Sequence, residues 1–249
     1  MKELYTSIPV GLCQYCIYNR KINHLKVYLY LKFTSSGHVK YISNPFEKTK
    51  EIAEYLNLNE KTIKNCLNWL IKESWIVIFS SIKSIRIISY TKLCRALDIK
   101  TKRASIYENN TFEDLKNFCC AVLIIYYRNY KRWCDRKSVS KKGHTRLRSY
   151  KRNKGYYSLP CLYLAKCIGV SKKTAYTYKQ LAKAYGYIEI RKNINPLEID
   201  GVKLTNDHKN SLQMIMDINL NRVRKGKKYL RYVEADLIKS NIIIKSKKY

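Results

Sequence analysis

The stretch Ile52–Ile76, IAEYLNLNEKTIKNCLNWLIKESWI, has a counterpart at Leu164–Ile188, LAKCIGVSKKTAYTYKQLAKAYGYI. The offset is 112 residues (164 − 52), and the two segments stay in phase without a gap. Ala53 falls on Ala165, Leu56 on Ile168, Leu58 on Val170, Asn59 on Ser171, Thr62 on Thr174 and Ile76 on Ile188. Ile52 and Leu56, like Leu164 and Ile168, stand four apart, which places them on one face of a short helix. The small residues Ala53 and Ala165 leave room for a second helix to approach. Asn57-Leu58-Asn59 and Gly169-Val170-Ser171 read as the intervening turns. Gly takes a left-handed backbone at no steric cost, and Asn is among the few residues that tolerate it. Leu58 and Val170 are expected to plug the core under the turn, and Asn59 and Ser171 to cap the next helix. In the first copy that helix buries a 3.6-residue stripe, Ile63, Cys66, Leu67 and Leu70.

Working outward, Trp75–Phe79 and Ser84–Ser89 read as two strands joined by Ser80–Lys83. Behind the second copy, Tyr187–Arg191 is followed by the turn-like Asn193–Pro196. A candidate first helix precedes each copy: Lys21–Phe33, whose Val27–Phe33 also alternates well enough for a strand, and Thr111–Trp133. The latter opens with Thr111 and Asp114 in capping-box spacing. Its apolar positions Leu115, Cys119, Val122, Tyr126, Tyr130 and Trp133 step by three and four, predicting a buried face.

This pattern resembles the winged helix-turn-helix superfamily of DNA-binding proteins, the strand pair behind each second helix corresponding to the family's wing. The resemblance implies an α+β, helix-rich fold with two tandem winged helix-turn-helix domains. Lys179 departs from it, standing where the family is usually apolar, so the second recognition helix is expected to bury Ala175, Tyr178, Ala182 and Tyr185 instead. In that family the second helix enters the major groove. The resemblance therefore assigns Lys61, Lys64, Asn65 and Asn68 to base edges in the first unit, and Lys172, Lys173, Tyr176, Thr177 and Gln180 in the second. Thr62 and Thr174 are assigned to phosphates, and Lys83, Arg86, Arg191 and Lys192 in the wings to backbone or minor groove.

Charge supports a polyanionic partner independently. Fifty Lys and Arg face 18 Asp and Glu in 249 residues, a formal net charge of +32. So much uncompensated charge repels itself in a compact chain, and nucleic acid is the first candidate to relieve it, an anionic membrane surface the second. The most apolar run, Cys119–Tyr127, is far short of the roughly 20 residues a spanning helix needs. No signal-like N-terminus is evident, so a cytoplasmic protein with reduced thiols is expected. The charge is unevenly spread. The first unit carries Glu47, Glu51, Glu54, Glu60 and Glu73, whereas no Asp or Glu occurs from Arg136 through Ile188. That acid-free stretch includes Arg146, Arg148, Lys151 and Arg152 in an expected basic loop, residues 136–155. The second unit is therefore expected to be the stronger DNA binder. The first is read either as the reader of a second half-site or as the homodimer surface for another copy of the chain.

Catalytic patterns are missing. There is no Gly-rich loop ending in Gly-Lys-Ser/Thr, and His24, His38, His144 and His208 form no His-x-His or His-Glu-x-x-His. His144-Thr-Arg-Leu-Arg148 lacks the His-x-x-Arg spacing of tyrosine recombinases. Carboxylates are too dispersed for a two-metal nuclease. Cys13 and Cys16 form a lone Cys-x-x-Cys, the single candidate for zinc, but a structural site needs four ligands and buried core thiols are the commoner outcome. No cofactor or small-molecule substrate is expected.

The sequence thus predicts an N-terminal arm at 1–18, a first domain at 19–92, a linker at 93–110, a second domain at 111–200 and a basic C-terminal extension at 201–249. Double-stranded DNA is the expected partner. Tandem units resemble the architecture of plasmid and phage replication initiators, with a transcription regulator as the alternative role and a non-specific packaging protein as the third.

Overall fold

The computed structural model describes residues 6–108, 111–140, 155–192, 194–197, 223–225, 230–233 and 235–246. Strand β1 (Thr6–Pro9) runs directly into helix α1 (Val10–Tyr18). A six-element unit follows: α2 (Ile22–Phe33), β2 (His38–Lys40), α3 (Thr49–Leu56), α4 (Glu60–Lys72), β3 (Ile76–Phe79) and β4 (Ser84–Ile87). Helix α5 (Tyr90–Ala96) and strand β5 (Arg103–Tyr107) lead to a long helix, α6 (Leu115–Ser140). After it come β6 (Tyr157–Ser158), α7 (Cys161–Ile168), α8 (Lys172–Ala184), β7 (Ile188–Arg191), β8 (Ile194–Leu197), β9 (Val223–Lys225), β10 (Leu230–Val233), β11 (Leu237–Ser240) and β12 (Ile244–Ser246). The class is α+β, with small antiparallel sheets.

The two quoted segments adopt one local structure. Helix α3 stops at Asn57 (φ 50°, ψ 50°) and α7 at Gly169 (φ 79°, ψ 37°), both left-handed. The amides of Leu58 and Val170 reach back to the carbonyls of Ala53 and Ala165, each at 3.0 Å. The Asn59 side chain accepts from the Lys61 amide at 2.8 Å, and the Ser171 hydroxyl accepts from the Thr174 amide at 3.1 Å. These caps satisfy amides that would otherwise be orphaned at a helix start. Beyond the second helices the likeness continues. Ser74 and Gly186 are again left-handed, and the amides of Trp75 and Tyr187 donate to Leu70 and Ala182 at 2.8 and 3.0 Å.

Each segment ends in a three-stranded sheet of the same order, β2-β4-β3 in the first and β6-β11-β7 in the second. Ile76 pairs with Ile87 as Ile188 pairs with Ser240, and the Tyr41 amide binds the Lys83 carbonyl (3.0 Å) as the Leu159 amide binds that of Asp236 (3.1 Å). Four residues separate β3 from β4, while 45 separate β7 from β11, so the second unit holds 41 more (45 − 4). The turn expected at Asn193–Pro196 is therefore corrected. Ile194–Leu197 is a strand that pairs with β10, and the central strand of the second sheet comes from the stretch expected to be a basic extension. In that stretch β9 also pairs with β10, and β12 pairs with β5.

Further corrections concern the expected arm, of which residues 6–18 are described, and the linker. Strand β1 pairs with β5, and α1 buries Val10, Leu12, Cys13, Cys16 and Ile17 against α6, so this segment is core and not an arm. A Cβ on Gly11 would stand 2.2 Å from Ile99 Cγ2, which is why a residue without a side chain serves at this contact. Within the expected linker, α5 buries Leu93 and Cys94 and β5 buries Ala104 and Tyr107. One continuous core joins the two units, with Phe33 edge-on to Phe112 (5.4 Å) and Phe118 edge-on to Tyr187 (5.7 Å). At their junction the Asp114 carboxylate accepts from both Tyr107 (2.6 Å) and Tyr187. Val27–Phe33 belongs to helix α2 and is not a strand, and Val27 through Leu31 are all buried, without the alternation of a half-buried strand. Among the described residues no helix is long and apolar enough to cross a membrane.

Two outcomes test this packing. Ile238, at the centre of β11 and fully buried, is predicted to cost about 2–5 kcal/mol when replaced by Ala, as a core isoleucine does. A loss below about 1 kcal/mol in urea unfolding would be that of a surface residue and would contradict the strand. His24 packs edge-on against Trp69 (4.6 Å) with its Nδ1 buried and unpaired. Burial, and then the ammonium of Lys21, push its pKa down to about 4. The unfolded chain therefore takes up this proton first. Stability is predicted to fall as pH drops from about 6.5 to about 4, and His24→Gln to flatten that part of the thermal-stability profile.

Candidate functional site

Helices α4 and α8 are the same length and occupy equivalent places, so their outer faces can be compared position by position. On α4, Lys61, Lys64, Asn65 and Asn68 are all exposed and recur at helical spacing on one face. On α8 the equivalents are Lys173, Tyr176, Thr177 and Gln180, the first three exposed and Gln180 half-buried. Thr62 and Thr174 are half-buried at the start of each helix, and the Thr174 hydroxyl lies 2.9 Å from that of Ser171. The Thr177 hydroxyl donates to the Lys173 carbonyl at 3.1 Å. The structure thus gathers the expected residues of each second helix onto one solvent-facing surface.

The helix starts differ in charge. Glu60 is the first residue of α4, and its counterpart in α8 is Lys172, followed by Lys173, with no acid in the first turn. A helix N-terminus carries a partial positive charge, so a carboxylate there is favourable and a lysine pair is not. The beginning of α8 therefore concentrates two ammonium groups, and among the described residues no carboxylate pairs with either.

Beneath α8 lies the residue that departs from the apolar pattern. Lys179 takes the place held by Leu67 in the first unit and is fully buried, as are Ala175 and Ala182. Its ammonium donates to the Leu159 carbonyl and stands 4.0 Å from the Asp236 carboxylate. The expectation that Tyr178 and Tyr185 would replace it in the core is corrected: Tyr178 is half-buried and Tyr185 about half exposed. Lys179 goes inside because Leu159, just after β6, and Asp236, just before β11, supply an acceptor and a counter-charge, which a buried ammonium requires.

The residues expected in the wings divide. Lys83 is exposed and left-handed (φ 45°) at the tip of the first strand pair, and Arg86 is exposed on β4. Arg191 is exposed but stacks on Tyr156 at 4.1 Å, and Lys192 pairs with Asp236 at 3.3 Å, so both are already engaged by the protein. Arg146, Arg148, Lys151 and Arg152 lie outside the described residues. The expected loop begins later than residue 136, since α6 continues to Ser140.

The Cys-x-x-Cys pair is buried. Cys13 and Cys16 face α6, and a hydrogen bond with Cys13, then burial, raises the Cys119 thiol well above its usual value. Burial does the same for Cys16 and lifts Cys120 to about 12. Thiols held neutral this way are core side chains, and among the described residues no group of three or more His, Cys, Asp or Glu is placed to hold a metal ion.

Sequence reasoning missed one surface. Tyr130 and Trp133, expected to face inward, are 46% and 50% exposed, although α6 is completely buried from Cys119 to Leu123. The signal was a change of composition within one helix, from the aliphatic Ala121–Ile125 to a run of aromatic and cationic residues at 126–133. Comparison of the chain with protein-family models, with curated proteins and with solved structures returns no match.

Proposed function

We propose that the chain is a sequence-specific double-stranded DNA-binding protein built from two winged helix-turn-helix units, and that it binds without catalysing a reaction. The observation that carries this reading is the repeated element itself. Twice, at an offset of 112 residues, a left-handed turn and a polar N-cap project a helix whose outer face is polar and cationic. In both units the helix is backed by a sheet of the same strand order, which holds it at a fixed angle. Such a helix fits the major groove, where Asn and Gln match adenine and Lys matches guanine or phosphate. The formal charge of +32 supplies the non-specific part of the attraction.

The second unit is the stronger binder in this reading, because Lys172 and Lys173 stand where the first unit has Glu60 and Lys61. The biological role we propose is initiation of replication on a plasmid, phage or other mobile element, the two units reading repeated sites. Regulation of transcription is the alternative, and one observation favours it. A cavity of about 480 Å³ opens between α2, β2 and α3, lined among others by Tyr30, Lys40, Glu47 and Glu51, and its size suits an effector molecule.

Selection of bound DNA fragments at physiological salt tests the reading. Direct repeats near an origin are the expected product, a promoter palindrome would favour regulation, and no enriched sequence would reject specific recognition. On the selected duplex, Lys172→Ala with Lys173→Ala is predicted to weaken binding at least about tenfold and to reduce the salt-dependence slope by about 1–2. Lys61→Ala with Lys64→Ala is predicted to cost clearly less, and equal losses would overturn the ranking of the units.

A further inference from the structure

Helix α6 changes character at Tyr126. From Asn117 to Ile125 the helix is sealed in the core, and beyond Tyr126 the rings of Tyr130 and Trp133 open to solvent. Tyr126, Tyr130 and Trp133 follow one another at intervals of four and three, so their rings form a single stripe along the helix. Tyr130 and Trp133 lie 5.9 Å apart with their planes 31° from each other. Cations accompany the stripe at both ends. The Arg103 guanidinium stands 5.8 Å from the Tyr126 ring centre, and the Lys137 ammonium 3.9 Å from that of Trp133. The nearby carboxylates are engaged. Asp135 holds Lys131 at 2.6 Å and accepts from Tyr157, and Asp98 is paired with Lys100 at 3.6 Å. A groove of about 370 Å³ continues from Tyr126 and Tyr130 toward Lys100 and Thr101.

We propose that this stripe is a stacking site for single-stranded nucleic acid, separate from the duplex-binding face of α8. Exposed aromatic planes bordered by cations offer what an unpaired strand needs, a π-face for each base and positive charge for the phosphates between them. A duplex cannot use such a stripe, because its base faces are already stacked inside the helix. A second copy of the chain is the poorer occupant. Joining two surfaces that each present Arg103 and Lys137, on chains of charge +32, brings like charges together. The inference rests on the nucleic-acid reading above only for the polyanionic class of its partner.

Trp133 reports on the site directly. Of the three tryptophans, Trp75 is fully buried and Trp69 is half-buried against His24 and Trp75, which leaves Trp133 as the exposed one. Titrating the full chain with a short oligo(dT) at physiological salt should quench its emission. Tyr130→Leu with Trp133→Leu keeps apolar bulk but removes both rings, and should weaken oligo(dT) binding at least about tenfold while duplex binding stays within about twofold. Tyr130→Phe with Trp133→Phe keeps the rings and should retain the affinity. Lys172→Ala with Lys173→Ala should show the opposite pattern, losing duplex and keeping oligo(dT), so that failure of the duplex reading is seen separately. The proposal is overturned if wild-type protein leaves oligo(dT) unbound, if the leucine variant binds it equally well, or if sedimentation shows self-association that the leucine variant abolishes.

Discussion

The angle between the two helices of each repeated segment is set by one residue in the left-handed region. Asn57 and Gly169 end α3 and α7 there, and the following cap restarts the chain as α4 or α8. Were either residue right-handed, the first helix would run on and the second would leave in another direction. The polar faces of α4 and α8, the sheets beneath them and the shared core are all arranged around that reversal. Gly169 carries a second demand, because a Cβ there would stand 2.7 Å from Tyr18 Cε2. The same position thus fixes the turn and admits the ring by which α1 docks on the second unit.

What could be read from the sequence was what local chemistry decides. The turn residues, the caps Asn59 and Ser171, the buried stripe of α4 and the first strand pair depend on neighbours a few positions away, and all are present. What could not be read depends on distant partners. The strand that completes the second sheet lies 45 residues beyond β7, and nothing in Leu237–Ser240 announces its address. Lys179 looked out of place because Asp236, its counter-charge, is 57 positions away (236 − 179). The exposed residues of α4 and α8 were legible as a candidate site because helix periodicity separates inner from outer faces. Tyr130 and Trp133 were misassigned for the complementary reason: periodicity says which residues share a face, and only the tertiary structure says whether that face is covered.

The two units resolve charge in opposite ways. The first behaves as an ordinary helical surface does, with Glu60 complementing the start of α4 and Leu67 beneath it. The second has Lys172 at the start of α8 and Lys179 beneath it, two choices that each cost stability in isolation. The buried lysine is satisfied internally by Leu159 and Asp236. Among the described residues no carboxylate pairs with Lys172 or Lys173. In the proposed duplex complex the phosphates would supply that counter-charge.

The sheet β1-β5-β12 gathers strands from both extremes of the described chain around a strand from its middle. Strand β5 follows β1 by 93 residues, and β12 follows β5 by 136. During synthesis β5 can pair with β1 long before β12 exists, so until then one of its edges stays open to other polypeptides.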